Sequence, residues 1–190
     1  TLSSSSAASD VYKRQDYTGV ELGPKQIRVC SARYSQYLPE LNHIDISEHL
    51  TMGDVGDVPF VAHDNKQSYD NISDFAKKLW DSGKFLVGFG GEHGVTYPIL
   101  KALTETGKKV GIIHLDAHYD NMPDYEGEPY ARNTPFMRLY ETDGIRNESI
   151  IHTGIHGPRN KPETGRFAQE AGAVTLTIND IRAAKDLKTY

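Results

Sequence analysis

The run from Val110 to Asp120, Val-Gly-Ile-Ile-His-Leu-Asp-Ala-His-Tyr-Asp, constrains the fold more than any other stretch of the chain. Its first half is apolar and β-branched, the character of a buried strand. Its second half holds Asp116, His118 and Asp120. Strand side chains repeat their direction every two residues, so extended backbone would send all three to one side, just where the apolar strand runs out. Carboxylate oxygens mixed with imidazole suit a divalent ion of intermediate hardness, such as Mn²⁺, Co²⁺, Ni²⁺ or Zn²⁺. A polar turn capping a buried strand would use the same residues, and on this stretch alone both readings stand.

A second apolar run, Phe85 to Phe89, also reads as a strand and leads into Gly90-Gly91-Glu92-His93. Two buried strands that deliver polar groups from their C-terminal ends are expected of a site in a parallel α/β sheet. A helix over 96–105 between the two runs, ended by Gly107, predicts a βαβ unit. Both motifs, in this order and spacing, resemble the arginase/agmatinase family, the ureohydrolases. The resemblance lies in Gly90-Gly91-Glu92-His93 with Val95-Thr96, and in Asp116-Ala117-His118-Tyr119-Asp120. The family's usual first motif is Gly-Gly-Asp-His-Ser, from which Glu92 and Gly94 depart. Glu92 reads either as an acceptor orienting His93 or as a satisfied loop carboxylate.

The resemblance implies an α/β fold, a three-layer sandwich with a mainly parallel sheet. It implies metal-dependent hydrolysis of a guanidino compound, agmatine-like, to urea and an amine through a water activated by two metal ions. The implied metal ligands are His93, Asp116, His118 and Asp120, with Mn²⁺ as the ion, two per site. His93 and Asp120 would hold one ion, His118 the other, and Asp116 would bridge them. Asp116 and Asp120 are also the candidate catalytic carboxylates, and Tyr119, Asn121 and Arg132 the candidate substrate contacts. The family also implies a homo-oligomer, trimer or hexamer, and a cytoplasmic setting.

Composition excludes other classes. The 190 residues are enough for one domain with a real core, and 21 basic against 26 acidic residues give a net charge of −5 with no basic block, so nucleic acid is not an expected partner. The apolar runs are far too short to cross a membrane. The single cysteine, Cys30, rules out an internal disulfide, fits a reducing compartment, and reads as a small buried apolar residue.

The remaining chain fills in around the motifs. The serine-rich stretch 1–16 reads as a disordered or non-native tail, with a partial ureohydrolase domain over 17–190. Pro24 opens a predicted helix, and a second helix spans 68–81. Asp54 and Asp57, each beside a glycine or one residue from it, read as turn residues at the end of a short strand. Residues 121–132 read as a surface loop, 134–141 as a helix, 150–157 as a strand, 162–171 as a helix and 174–178 as a strand. Asp180 is expected to cap a last helix.

Two departures from the family pattern bear on function. The later Ser-x-Asp-x-Asp motif that completes the family's metal pair does not occur, and the resemblance predicts a C-terminally truncated fragment. Many agmatinases carry Tyr-Ser-His-Gly-Thr-Pro-Phe where this chain has Tyr130-Ala131-Arg132-Asn133-Thr134-Pro135-Phe136. Arginine stays charged and cannot act as a base near neutral pH, so Arg132 would instead bind an acidic group or remain a solvated loop residue. His152 and His156 stand near a strand end where another proton shuttle could sit, with core or surface roles as the simpler assignment. The alternative to an enzyme is a non-catalytic metal-binding or scaffold member of the same fold.

Overall fold

A computed structural model of the chain describes residues 19–61 and 64–184. The predicted tail, 1–16, lies outside them. The chain divides into two compact units between Ala102 and Leu103.

In the first unit, helix α1 (Gly23–Ser31) has Pro24 at its start, where the missing N–H costs nothing and the fixed φ suits a helix. Its Arg28 reaches the two predicted turn aspartates, with Nε 2.6 Å from Asp54 Oδ2 and Nη2 2.8 Å from Asp57 Oδ1. These hydrogen bonds, Asp54's first, hold the guanidinium well above its usual range. A local turn forms at Asp54, where the Gly56 N–H donates to Asp54 Oδ1 at 2.9 Å and Gly56 has φ +84. The short strand expected beside it is not formed among the described residues. Two-residue strands β1 (Tyr37–Leu38) and β2 (Ile44–Asp45) pair antiparallel.

Helix α2 (Asn65–Asp81) begins earlier than its apolar spacing alone predicts, because Asp64 caps it, accepting from the Gln67 N–H at 2.8 Å. It buries Tyr69, Ile72 and Ala76, three and four residues apart, on one face. Near its end the Trp80 indole N–H donates to the Ile99 carbonyl at 3.2 Å. Ile99 lies on helix α3 (Thr96–Thr104), which falls where a helix was expected. The run 85–89 does not form the predicted strand. No ladder pairs it among the described residues, and Phe85 is 77% exposed.

The second unit is a parallel sheet with helical crossovers, the α/β class that was expected. Strand β3 (Val110–Leu115) pairs with β4 (Ile145–Ile155), and β4 with β5 (Val174–Thr177), in that spatial order. Helix α4 (Pro135–Tyr140) joins β3 to β4, and α5 (Pro162–Glu170) joins β4 to β5. The core gathers Ile112, Phe136, Leu139, Ile150 and Ala168, all buried. Strand β4 starts five residues before the expected 150. The opposite face of β3 is open, with Ile113 71% and Leu115 78% exposed.

Helix α6 (Ile178–Ala183) is capped by Thr177 rather than Asp180. The Thr177 hydroxyl takes the Asp180 N–H, and the Asp180 carboxylate reaches back to the Thr177 N–H, so Asp180 is the reciprocal partner in a capping box. The Thr177 hydroxyl also donates to the Asp180 carboxylate, and this bond first, with that from the Thr177 N–H, holds the Asp180 carboxyl below its ordinary range. Among the described residues no helix is long and apolar enough to cross a membrane.

Candidate metal centre

Val110, Ile112 and His114 form the buried side of β3, and Asp116 continues that alternation one step past the strand. Parallel pairing sets His114 opposite His152 and Leu115 opposite Thr153, so the ends of β3 and β4 arrive together. Gly154 sharpens this meeting. It has φ +97, and a side-chain carbon there would stand 3.2 Å from the Asp116 carbonyl oxygen.

Past Leu115 the backbone turns, and this corrects the expectation of a continued extended chain. The Asp116 Oδ1 accepts the His118 N–H at 2.9 Å, a local turn that the short aspartate side chain closes upon itself. The turn brings His118 Nδ1 to 3.4 Å from the same oxygen. Asp120 follows with φ +46, a left-handed backbone, and its carbonyl accepts from the Phe136 N–H at 3.0 Å. So Asp116 and His118 meet through a turn, and Asp120 is set by the loop's closure onto α4. The fourth predicted ligand, His93, opens a short 3₁₀ turn in the first unit directly after Glu92. Glu92 is buried, 4% exposed, beside Tyr69. A side-chain carbon on Gly94 would collide with the Tyr69 hydroxyl and crowd the Glu92 carboxylate, which is why glycine stands where the family usually has serine.

Sequence reasoning missed His114 as a member of the site. Its Nε2 lies 3.5 Å from Asp116 Oδ2, so the two aspartate oxygens face different histidines. Its ring stacks on Phe136 with centroids 4.0 Å apart. On its other side, Nδ1 is 2.8 Å from Nδ1 of His152. His152, given a core role as the simpler assignment, is indeed fully buried, and its Nε2 lies 2.8 Å from the Tyr140 hydroxyl. Burial pushes the His152 imidazole down to about 4, against the opposing pull of the Asp116 charge, so it is neutral near pH 7. Burial likewise raises the Tyr140 phenol above its ordinary value and keeps its proton on. The signal was present in the sequence: His114 shares strand parity with Asp116.

The three substrate candidates are placed differently. Tyr119 sets its ring edge against His152, centroids 5.2 Å apart, and lies over Gly165. Asn121 is 1% exposed and donates its amide to the Thr164 carbonyl at 2.9 Å, tying the loop to α5. Arg132 lies over the Tyr125 ring, 5.2 Å from its centroid. The loop between them closes through the Met122 N–H, which donates to the Asn133 carbonyl. His156 is exposed, with Nδ1 2.7 Å from the Gly154 carbonyl oxygen. Cys30 is exposed rather than buried; the buried residue of α1 is Pro24, at the helix's other end.

The donor set fits a divalent cation. The two Asp116 carboxylate oxygens, one 3.4 Å from His118 Nδ1 and the other 3.5 Å from His114 Nε2, each match the ligand-to-ligand edge of a coordination shell with bonds of about 2.1 Å.

Fold and site together define a parallel α/β protein with a carboxylate–imidazole cluster at its strand ends. The arginase family profile matches residues 6–189, and the chain belongs to that family. It is 36% identical over 169 residues to an agmatinase of Bacillus anthracis, covering 89% of this chain and 56% of that one. It is 31% identical to a guanidinopropionase of Pseudomonas aeruginosa, covering 85% and 51%. Solved structures of the same fold include formimidoylglutamase from Bacillus subtilis, with a TM-score of 0.83, 24% identity, and 95% and 55% coverage. Another is formiminoglutamase from Trypanosoma cruzi with Mn²⁺, with a TM-score of 0.81, 20% identity, and 95% and 61% coverage. The chain therefore spans about half the length of the curated relatives it matches.

Proposed function

We propose that this protein hydrolyses the guanidino group of a small agmatine-like substrate, releasing urea and an amine, with Mn²⁺ as its cofactor. The observation that carries this reading is the Asp116–His118 contact of 3.4 Å at the end of β3, in a member of the arginase family. Asp116, His118 and Asp120 would hold the ion, and His93 enters that set on its motif alone. A divalent ion held there supplies Lewis acidity and a bound water acidic enough to react near neutral pH.

The chain's own groups do the remaining work. Asp116 presents one oxygen to each side, toward His118 and toward His114. Asp116 and Asp120 supply negative charge that favours a cationic guanidinium nearby. The ring of Tyr119, braced by His152, offers an apolar wall beside them. Asn121 acts by anchoring the loop, since its amide is committed to Thr164. Arg132 stands where the resemblance expects a histidine, and its permanent charge suits the binding of an acidic substrate group better than proton transfer. The relatives' names span agmatine, guanidinopropionate and formimidoylglutamate, so a substrate with a carboxylate belongs in any test. A cytoplasmic setting and a homo-oligomeric assembly complete this reading.

The test is product release from agmatine, guanidinopropionate and formimidoylglutamate by the Mn²⁺-loaded chain. Urea from one of the guanidino compounds, lost by more than about 100-fold in Asp116→Ala, supports the reading. A folded, metal-loaded chain that turns over none of them supports the second reading, a non-catalytic metal-binding member, which Arg132 favours by removing a proton shuttle.

A further inference from the structure

The turn that carries Asp116 and His118 is held from the end of the neighbouring strand. The Asp116 N–H donates to the Thr153 carbonyl at 3.1 Å, so the chain leaves β3 still tied to β4. The peptide unit between Ala117 and His118 comes next, and both of its ends are engaged. Its N–H, from His118, donates to Asp116 Oδ1 at 2.9 Å. Its carbonyl, from Ala117, accepts the His156 N–H at 3.0 Å and the Asn160 side-chain amide at 2.9 Å. In a planar trans peptide the C=O and N–H point opposite ways, and neither turns without the other. Donors that fix the Ala117 carbonyl therefore also aim the His118 N–H at the Asp116 carboxylate.

Asn160 lies 43 residues beyond Ala117, in the loop between β4 and α5. Its Nδ2 also donates to the His156 carbonyl at 3.0 Å and, more weakly, to the Gly157 carbonyl at 3.4 Å. An amide nitrogen carries two hydrogens and accepts nothing, so it suits a ring of carbonyl oxygens. Turned over, the side chain would set its own oxygen against the same carbonyls. The bonds to His156 and Gly157 close the loop upon itself, and that closure holds the amide where it meets Ala117.

We propose that Asn160, acting through the Ala117–His118 peptide, is a positioning residue that sets the Asp116 carboxylate for its ion. This rests on the metal reading of the site given above. Asn160 need not touch the ion or the substrate. A ligand held in place by an outer partner loses less freedom on capturing its ion, and losing that partner weakens metal affinity. The His156 N–H still holds the Ala117 carbonyl when the Asn160 amide is gone, so the loss is that of one net hydrogen bond, about 3–10-fold.

Two measurements on the full chain test this. Mn²⁺ titration compares the wild type with Asn160→Ala, Asn160→Asp and Thr177→Ala. Asn160→Ala removes the donor and is expected to weaken Mn²⁺ binding about 3–10-fold. Asn160→Asp keeps the shape but puts an oxygen against the carbonyls, and is expected to weaken binding at least as much; it carries the comparison if Asn160→Ala does not fold. Thr177→Ala removes the cap of α6 and controls for a general loss of stability, and it is expected to bind Mn²⁺ as the wild type does. Amide hydrogen exchange of the metal-free chain is the second measurement. The His118 N–H is expected to exchange about 3–10-fold faster in Asn160→Ala, while the amides of the β3–β4 ladder keep their wild-type rates.

A wild-type chain that takes up no Mn²⁺ overturns the metal reading and this proposal with it. Three results overturn the proposal alone: folded Asn160 variants that bind Mn²⁺ as the wild type does, a Thr177→Ala chain weakened as much as they are, or exchange that quickens equally at His118 and along the ladder.

Discussion

Gly154 is where a single methyl group would be felt at the site. Its φ of +97 is disfavoured for any residue with a side chain, and the added carbon would press on the Asp116 carbonyl. Gly154→Ala is expected to cost about 1–3 kcal/mol, read as a lower urea midpoint. It should also weaken Mn²⁺ uptake, since the displaced backbone belongs to a ligand. His152 gives a prediction in pH. Its folded pKa of about 4 lies below the ordinary imidazole value of about 6.5, so the unfolded chain takes up the proton first. Its contribution is complete above about pH 6.5 and is lost as pH falls toward 4, by about 3 kcal/mol in all. Urea midpoints measured across that window should fall with acid, and His152→Gln should flatten the slope. Asp116 and His118 were legible in the sequence because their chemistry is written in their residue types. The His114–His152–Tyr140 line was not, because it needs the β3–β4 register, and no spacing along the chain carries a register between strands.

At the level of elements, local rules succeeded where the element closes its own hydrogen bonds. Helices α2, α3, α4 and α5 fell within a residue of their expected ends, except at the start of α2, which lies three residues early where Asp64 caps it. The capping box on α6 is such a local device. Thr177→Ala removes one half of it and is expected to cost about 1 kcal/mol in equilibrium unfolding. Strands obey a different rule. The 85–89 run and β3 look alike in composition, yet among the described residues β3 stands in a ladder and 85–89 is not assigned as a strand. The core of the second unit leans on the helix between strands. Phe136 of α4 is 1% exposed and stacks on His114, so Phe136→Ala is expected to cost about 3–5 kcal/mol, visible as a large drop in the thermal midpoint.

On the scale of the whole molecule, exposed apolar side chains on β3 bear on association. Ile113 and Leu115 present large apolar side chains to solvent on an edge strand, a combination that invites association. Replacing both with threonine, a β-branched residue that suits strands, is expected to lower binding of an apolar dye and slow aggregation, with little change in the circular dichroism spectrum. Sequence alternation in β3 predicted which residues share a face, but not which face would be covered, since that depends on the rest of the fold.

Trp80 has a further use. It is the chain's one tryptophan, and its indole is fixed to the Ile99 carbonyl within the first unit. Its emission is therefore a private reporter of that unit, while the second unit contributes ordered backbone to the far-ultraviolet signal and no indole at all. Denaturation followed by both signals at once reads the cooperativity of the chain: coincident curves mean the two units melt as one, and separated curves mean each carries its own stability.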